Sequence, residues 1–419
     1  MTHIFGLEPA WRTTQLTDPV AHSMGDGGNA AAAPIGLAAA PNPLLVETID
    51  FEHLHRHVAE WTDLAERALE RNPFMEPGFV LPFLQHMRRS RTLRFLLAWR
   101  NEATGAPARL MALWPIIAPK ATGARYETWR HEYCCLGAPL LDRTEAVACL
   151  DAIVSVLRAD GERIPVLSLT QIRRRGPLSS LIAAFAARRS FSVANVAQYQ
   201  RAALDATLAN RRALNSVPPK KRKELRRLSR RLHDKGDLSF GVAEEGEALS
   251  RQIESFLALE FKGWKGKCGG AFLSRPERAA FARAMLRRMA HEGRCRIYWL
   301  ACGQRIIASH ILLLGADRAF FWKTAYDEEF SAFSPGVLLT LRMTEALLRD
   351  PSLSRIDSCA IPNHPMIDHV WREREPFVDI MLACDPNAGA ALRGAVRRER
   401  FRRWFRDQAK ALMTRARRV

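Results

Sequence analysis

One order of elements occurs twice in this chain, and few folds accommodate that. From residue 44, LLVETID reads as a strand, and FEHLHRHVAEWTDLAERALER as a helix with Phe51, Leu54, Val58, Trp61, Leu64 and Leu69 at helical spacing. FVLPFLQHM continues as a second helix. Three strand-like runs follow, TLRFLLAWR, ARLMALWPIIA and RYETWRHEYCCL, then helix 144–160, strand 164–170, helix 178–189 and strand 191–204. The second pass begins with strand 237–244 and helices 247–261 and 275–293. Strands 295–302, 304–315 and 318–328 come next, the first pair joined by a turn at Gly303. Helix 334–350, strand 354–361, helix 364–375 and strand 377–383 complete it. Two copies of one αβ unit predict an α/β fold in which a mixed sheet buries its apolar strands under helices on both faces.

The flanks and the joint differ in composition from these units. Residues 21–43 are small, Gly- and Pro-rich and aperiodic, so residues 1–43 read as a flexible tail. The net charge of +19 is concentrated in two places. Residues 211–231 hold ten Lys or Arg against one Glu, and residues 393–419 hold eleven against two acids. The resulting division is a first unit over 44–205, a basic helical segment over 206–236, a second unit over 237–385 and a basic amphipathic helix over 386–419. In the basic segment, Leu225, Leu228 and Leu232 form one apolar stripe, predicting a helix with one docked edge and a cationic exterior. It reads either as a holder of phosphate on a tRNA, a nucleotide-linked precursor or CoA, or as a solubilising interdomain helix. The last helix carries Phe401, Trp404, Phe405 and Leu412 on one face. Docking on its own domain is the expected use of that face, and an anionic membrane surface is the alternative.

No apolar run reaches the roughly 18 residues a membrane span needs, and the alanine-rich stretch 30–40 is broken by Pro34 and Gly36, so neither a transmembrane helix nor a secretory signal is expected. The eight cysteines lack C-x-x-C spacing, which suits a reducing cytoplasm, with peripheral association at the inner membrane face through the basic segments. H-E-x-x-H, P-loop and G-x-S-x-G patterns are missing, which argues against a zincin, an NTPase or an α/β-hydrolase, and nothing calls for a metal. A monomer is the default, because tandem units can bury a shared face within one chain.

The segment 259–267, LEFKGWKGK, the stretch FWKTAYDEEFSAFSPGVLL and the stretch SCAIPNHPMIDHVWRERE resemble the acetyltransferase domain of CelD-like proteins named for cellulose biosynthesis. More distantly they resemble FemAB-type transferases that add amino acids to peptidoglycan precursors. In the first unit the resemblance rests on FMEPGF, 74–79, and LGAPLLD, 136–142, and in all it covers about residues 45–385. It implies two tandem GNAT-like domains that move an acyl group from a thioester or ester carrier to an amine or hydroxyl. The acyl-CoA donor and an acceptor in exopolysaccharide or envelope metabolism are parts of that implication. One departure is visible: GNAT enzymes cradle the CoA pyrophosphate in a Gly-rich loop, whereas the matching turn Ser334-Pro335-Gly336 offers one glycine.

Acyl transfer needs a deprotonated attacking group, a stabilised oxyanion and a seat for a polyanionic carrier. Ser334, Pro335 and Gly336 open a helix, whose N-terminus suits phosphate; Ser334 as a plain N-cap is the alternative. Lys323, Tyr326 and Asp327 end the preceding strand, on the side where ligands gather in an open α/β sheet. Lys323 is a cofactor contact in this reading. Tyr326 is either a proton donor to the leaving thiolate or a packing residue, and Asp327 either a general base or a turn former. Lys262, Trp264 and Lys265 form a substrate-holding loop or an interhelix turn. Asp357 follows as a substrate contact, and His364 as an acid or base. Besides CoA-dependent acylation, the charge supports transfer from aminoacyl-tRNA, and the single-glycine turn supports a non-catalytic protein at a membrane or polysaccharide synthase.

Overall fold

A computed structural model describes residues 44–87, 92–101, 108–119, 125–159, 165–207 and 219–416. The expected tail over 1–43 and residues 208–218 of the basic segment lie outside the described residues. The first unit comprises β1 (Leu45–Ile49), α1 (Phe51–Leu54), α2 (Val58–Arg67), α3 (Pro77–His86), β2 (Leu93–Arg100), β3 (Arg109–Ile117), β4 (Arg125–Thr128), β5 (Leu140–Leu141), α4 (Ala146–Ala159), β6 (Val166–Arg173), α5 (Pro177–Arg189) and β7 (Val193–Asp205). Helix α6 (Pro219–His233) leads to β8 (Leu238–Ala243), α7 (Gly246–Lys262), the short α8 (Trp264–Lys267), α9 (Pro276–His291), β9 (Cys295–Cys302), β10 (Arg305–Gly315) and β11 (Arg318–Tyr326). The chain ends in α10 (Pro335–Arg349), β12 (Arg355–Asp357), β13 (Glu373–Ala383) and α11 (Gly389–Ala416).

All the strands join one sheet in the order β1-β2-β3-β4-β6-β13-β7-β12-β11-β10-β9-β8, with β5 added on β3. The pairings β4–β6 and β11–β12 are parallel, so the sheet is mixed, as the repeated element order predicts. Read from either edge inward, the order presents corresponding strands of the two units until the centre, where the last strands have changed places. Strand β13 of the second unit lies between β6 and β7, antiparallel to both. Strand β7 of the first unit pairs with β12 of the second.

Strands β3 and β10 are buried at nearly every consecutive position. Both of their faces are therefore covered, which is why they read as continuous apolar runs rather than alternating ones. The equivalent helices α3 and α9 meet across the join, where the rings of Phe79 and Phe83 lie 5.6 and 5.5 Å from Phe281. Asn72 ties the loop before α3 to the chain ahead of β5, donating to the Leu136 and Ala138 carbonyls at 2.8 and 2.7 Å.

Three expectations change. The helix expected over 364–375 is a single 3-10 turn, Ile367–His369, because the chain from Glu373 is taken up as β13 in the slot between β6 and β7. The third strand of the first unit stops at Thr128; of its remaining residues, Tyr133 reaches the second unit, its carbonyl accepting from the Trp322 indole at 3.0 Å, while the Cys135 carbonyl accepts from Arg201 of β7 at 3.0 Å. In α11 the docked residues are Leu392, Ala395 and Val396, whereas Phe401, Trp404 and Phe405 are exposed. The side chain of Leu412 lies outside the described residues. Helix α6 forms from Pro219, with Leu225, Leu228 and Leu232 buried as the stripe predicts.

Candidate functional site

Strands β11 and β12 run side by side for three residue pairs, ending at Phe320 opposite Asp357. Beyond that point β11 continues to Tyr326 on its partner β10, while the residue after β12, Ser358, donates its N–H to Ala202 of β7 at 3.2 Å. The two parallel strands therefore part beside the start of α10. A register shift between β10 and β11 after Ile311 marks the same place.

On the β11 side the lining begins with Lys323. Its ammonium sits 4.9, 5.3 and 5.4 Å from the rings of Tyr133, Phe272 and Trp322. Burial, and then the neighbouring Lys265 charge, lower its pKa. Lys265 donates to the Thr324 carbonyl at 2.9 Å and to the buried Glu260 carboxylate at 3.0 Å. Glu260 in turn accepts from the Phe272 N–H at 3.0 Å. Lys265 is thus fixed by both partners, and its role is to attach the short α8 to β11.

The rest of the Lys262–Gly266 segment is fastened to the 3-10 turn Glu328–Phe333. Glu328 accepts from the Trp264 main-chain N–H and, at 2.7 Å, from Lys267. Lys262 donates to Glu329 at 2.6 Å and to Asp327 at 3.3 Å. The Trp264 ring stands outward, 55% exposed, as a free aromatic face. A Cβ on Gly266 would stand 1.8 Å from the Phe261 carbonyl oxygen, so this turn closes only with glycine there.

Asp327 is buried, bridged to Lys262 and Arg305, and accepts from the Glu329 N–H at 3.2 Å as cap of the turn. Both carboxylate oxygens are occupied, an arrangement that suits a turn former better than a base. Tyr326, half-buried, has its pKa raised by burial and then by Glu328, which keeps the phenol protonated. Its ring is the neighbour of Gly336: a Cβ there would lie 3.9 Å from both the Tyr326 ring and the Met366 sulfur. Strand end, first turn of α10 and the 364–369 turn therefore meet at one glycine.

Ser334 enters α10 in the left-handed region, φ 51°, and its side chain makes no capping hydrogen bond; its carbonyl accepts from the Val337 and Leu338 N–H groups at 3.0 and 3.1 Å. The first turn contains no acidic residue. It presents the positive end of the helix dipole uncompensated, which favours an anion. Beneath it lies a histidine that no periodic or motif signal marks. His310 on β10 is fully buried, with Nε2 3.2 Å from the Gly336 carbonyl and 3.0 Å from the Thr340 hydroxyl, and Nδ1 2.9 Å from the Thr324 hydroxyl. Burial lowers its pKa to about 4, so it is neutral and acts as a strut under the helix start.

The β12 side is structural. Asp357 is buried against Arg201 at 3.4 Å and accepts from the Cys359 N–H at 2.8 Å. Arg201 lies over the Phe377 ring at 3.7 Å. This pair joins the units and leaves Asp357 no room as a substrate contact. His364 accepts at Nδ1 from the Met366 and Ile367 N–H groups, 3.3 and 3.5 Å away. Burial lowers its pKa. With Nδ1 accepting, the proton of the neutral ring is at Nε2, and His364 is a donor in this state.

Two cations lie over the rings of the turn before α10. The basic helix α6 packs on the Glu328–Phe333 turn, with the Arg231 guanidinium 5.7 Å from the Phe333 ring centre and Arg305 5.1 Å from that of Phe330.

Residues 219–364, from the start of α6 to the turn after β12, match the acetyltransferase (GNAT) domain family. No curated protein matches the chain. Among solved structures, FemX superimposes with a TM-score of 0.50 at 8% identity, over 80% of this chain and 97% of FemX. The C-terminal domain of a protein assigned as lysylphosphatidylglycerol synthetase from Agrobacterium fabrum gives 0.47 at 13% identity, over 81% and 94% of the two chains. A tandem GNAT protein from the clavulanic acid biosynthesis pathway gives 0.37 at 16% identity, over 82% and 100%. At such identity the FemX likeness is one of fold.

Proposed function

We propose that the chain is a GNAT-fold transferase that accepts an acyl group from a phosphate-bearing donor, acyl-CoA in the first instance. The donor's phosphates would meet the first turn of α10, and its reactive end the place where β11 and β12 part. The parting of these strands beside an acid-free helix start is the observation that carries the reading. The acceptor is an amine or hydroxyl of a polysaccharide or envelope precursor. Its nitrogen or oxygen attacks the thioester carbonyl carbon, forming the new C–N or C–O bond and a tetrahedral intermediate; the C–S bond then breaks. Tyr326, protonated and at the strand end, supplies the proton that the departing thiolate takes, and the proton lost by the attacking amine or hydroxyl returns to the tyrosinate through solvent, so that amide or ester and free thiol are the products. Lys323 is a cation on β11 past its parting from β12, and His364 a second donor near α10. Asp327, Lys262 and Lys265 hold the rim in place, and Trp264 offers a face to the acceptor.

A second reading, transfer from an aminoacyl-tRNA, is favoured by the contact of α6 with the turn that leads into α10. A long polyanion would follow the exposed cations of α6, and its affinity would fall steeply with salt.

Thermal-shift titration with acetyl-CoA, longer acyl-CoAs and free CoA, repeated on Ser334→Trp, tests the first reading. A concentration-dependent stabilisation, about 2.7 kcal/mol at a hundredfold excess over Kd, that disappears in the variant supports it. No shift with any CoA, together with salt-dependent tRNA binding, moves the assignment to the second. Turnover unchanged in Tyr326→Phe removes the tyrosine from the mechanism.

A further inference from the structure

Helix α11 extends 28 residues and attaches to the sheet by one side of its first half. Leu392, Ala395 and Val396 pack on β7 and β13. The acidic Glu399 also faces inward, accepting from Arg402 at 2.9 Å, Arg403 at 2.9 Å and Arg125 at 3.0 Å. Arg403 additionally reaches Asp379 at 2.8 Å. At 100° per residue, Phe401, Trp404 and Phe405 fall opposite these positions, and the structure leaves them 64%, 55% and 61% exposed. The outward arc therefore carries the three rings together with the exposed Arg397 and Arg398, while the inward Glu399 is paired with Arg402 and Arg403.

A groove runs along the same helix. It encloses about 470 Å³ between α11 and the start of β7, with Val193, Leu392 and Val396 as apolar lining and Arg393, Arg397 and Arg400 among its walls. Arg400 is fixed by donating to the Asn195 carbonyl at 3.2 Å. Apolar lining with guanidinium groups alongside matches an acyl chain below a phosphate.

We propose that the outward face of α11 binds an anionic lipid surface, with Phe401, Trp404 and Phe405 entering the interface and the flanking arginines meeting headgroup phosphates. Aromatic rings favour the lipid–water boundary, and anionic headgroups attract a cationic helix lying in its plane. A second copy of the chain would bring two strongly cationic helices together, with eleven Lys or Arg against two acids from residue 393 onward in each. A nucleic-acid duplex would be met by arginines on its phosphates and would leave three exposed rings in water.

Co-flotation of the full chain with phosphatidylcholine vesicles, with and without phosphatidylglycerol, tests this. Flotation is expected with the anionic vesicles alone and decreases as salt rises. The variant Phe401→Ser/Trp404→Ser/Phe405→Ser is expected to lose at least about tenfold in binding with its melting temperature unchanged. Arg397→Gln, which keeps the aromatic face, is expected to lose about fivefold. Equal binding to neutral vesicles, or full binding by the triple variant, overturns the proposal. So does a dimer in sedimentation that the triple variant abolishes, or salt-dependent RNA binding without flotation.

Discussion

Asp357 and Arg201 show why a residue's chemistry is hard to read before its partner is known. In sequence, an aspartate ending a strand beside a donor cleft reads as a substrate contact; in the fold it is an ion pair buried on both sides, 3.4 Å across. Losing one member of such a pair strands a charge, at a cost of about 3–5 kcal/mol. Arg201→Met is expected to lose that much in denaturant unfolding, and adding Asp357→Leu to recover much of it. A double variant no more stable than the single one would contradict the assignment. His310 has a different signature. Its unfolded ring takes a proton near 6.5, its folded ring near 4, so the folded state binds fewer protons in between. The stability it confers is complete above pH 6.5 and is lost as pH falls toward 4, by about 1.4 kcal/mol per unit at most. His131, buried and lowered to about 3, adds to the same slope. Glu76 opposes it: burial raises its carboxyl to about 7, so its contribution is full below 4.5 and fades as pH rises through 7. His310→Gln is expected to unfold more easily at pH 7 and to show a flatter decline between pH 6.5 and 4. A slope identical to the parent's would mean that His310 is not the group responsible.

At the scale of elements, local pattern identified α2, α7, α9 and α10, whose apolar spacing is strong, and it placed Tyr326, Ser334 and Gly336 together because a strand end and a helix start adjoin in the chain. It misassigned 364–375, whose last residues, Glu373–Glu375, are claimed by β7 far away in sequence, and no local signal reports that pairing. For α11 the amphipathic character was legible but not which side docks, since that depends on β7 and β13. The Lys262–Gly266 segment, a loop by composition, is a clamp on the turn before α10 because Lys262 and the Trp264 N–H, with Lys267 just beyond, find Glu328 or Glu329. Gly266 is its fixed point. Gly266→Ala would place a Cβ on the Phe261 carbonyl and displace the segment. A loss of about 1–3 kcal/mol in stability is expected, with Lys265 drawn off the Thr324 carbonyl. Donor affinity in the same variant is expected to fall several-fold, read by the titration with CoA ligands. Unchanged melting would show that the segment moves without strain.

For the whole molecule, the exchange of β13 and β7 decides how the two units depend on each other. Either unit, read alone, contains its own strands in the right order, and the duplicated pattern gives no hint that the last of them is lent to the other. In the fold β13 pairs along Glu373–Leu382 with β7 and along Phe377–Ala383 with β6, so it completes both edges at once. A chain of residues 44–207 lacks it, and β6 and β7 would face each other across an unfilled slot with unpaired main-chain groups, an invitation to aggregation. The α3 rings would also lose Phe281, whose centroid lies 5.5 Å from Phe83. Such a fragment is expected to show no cooperative unfolding and rapid proteolysis. Supplying residues 219–416 in trans is expected to restore both a single transition and protection, because the second fragment carries β13 and α9. A fragment that unfolds cooperatively by itself would mean that β6 and β7 can pair directly, and that the exchanged strand is a late addition to a self-sufficient first unit rather than the element that makes the two units one.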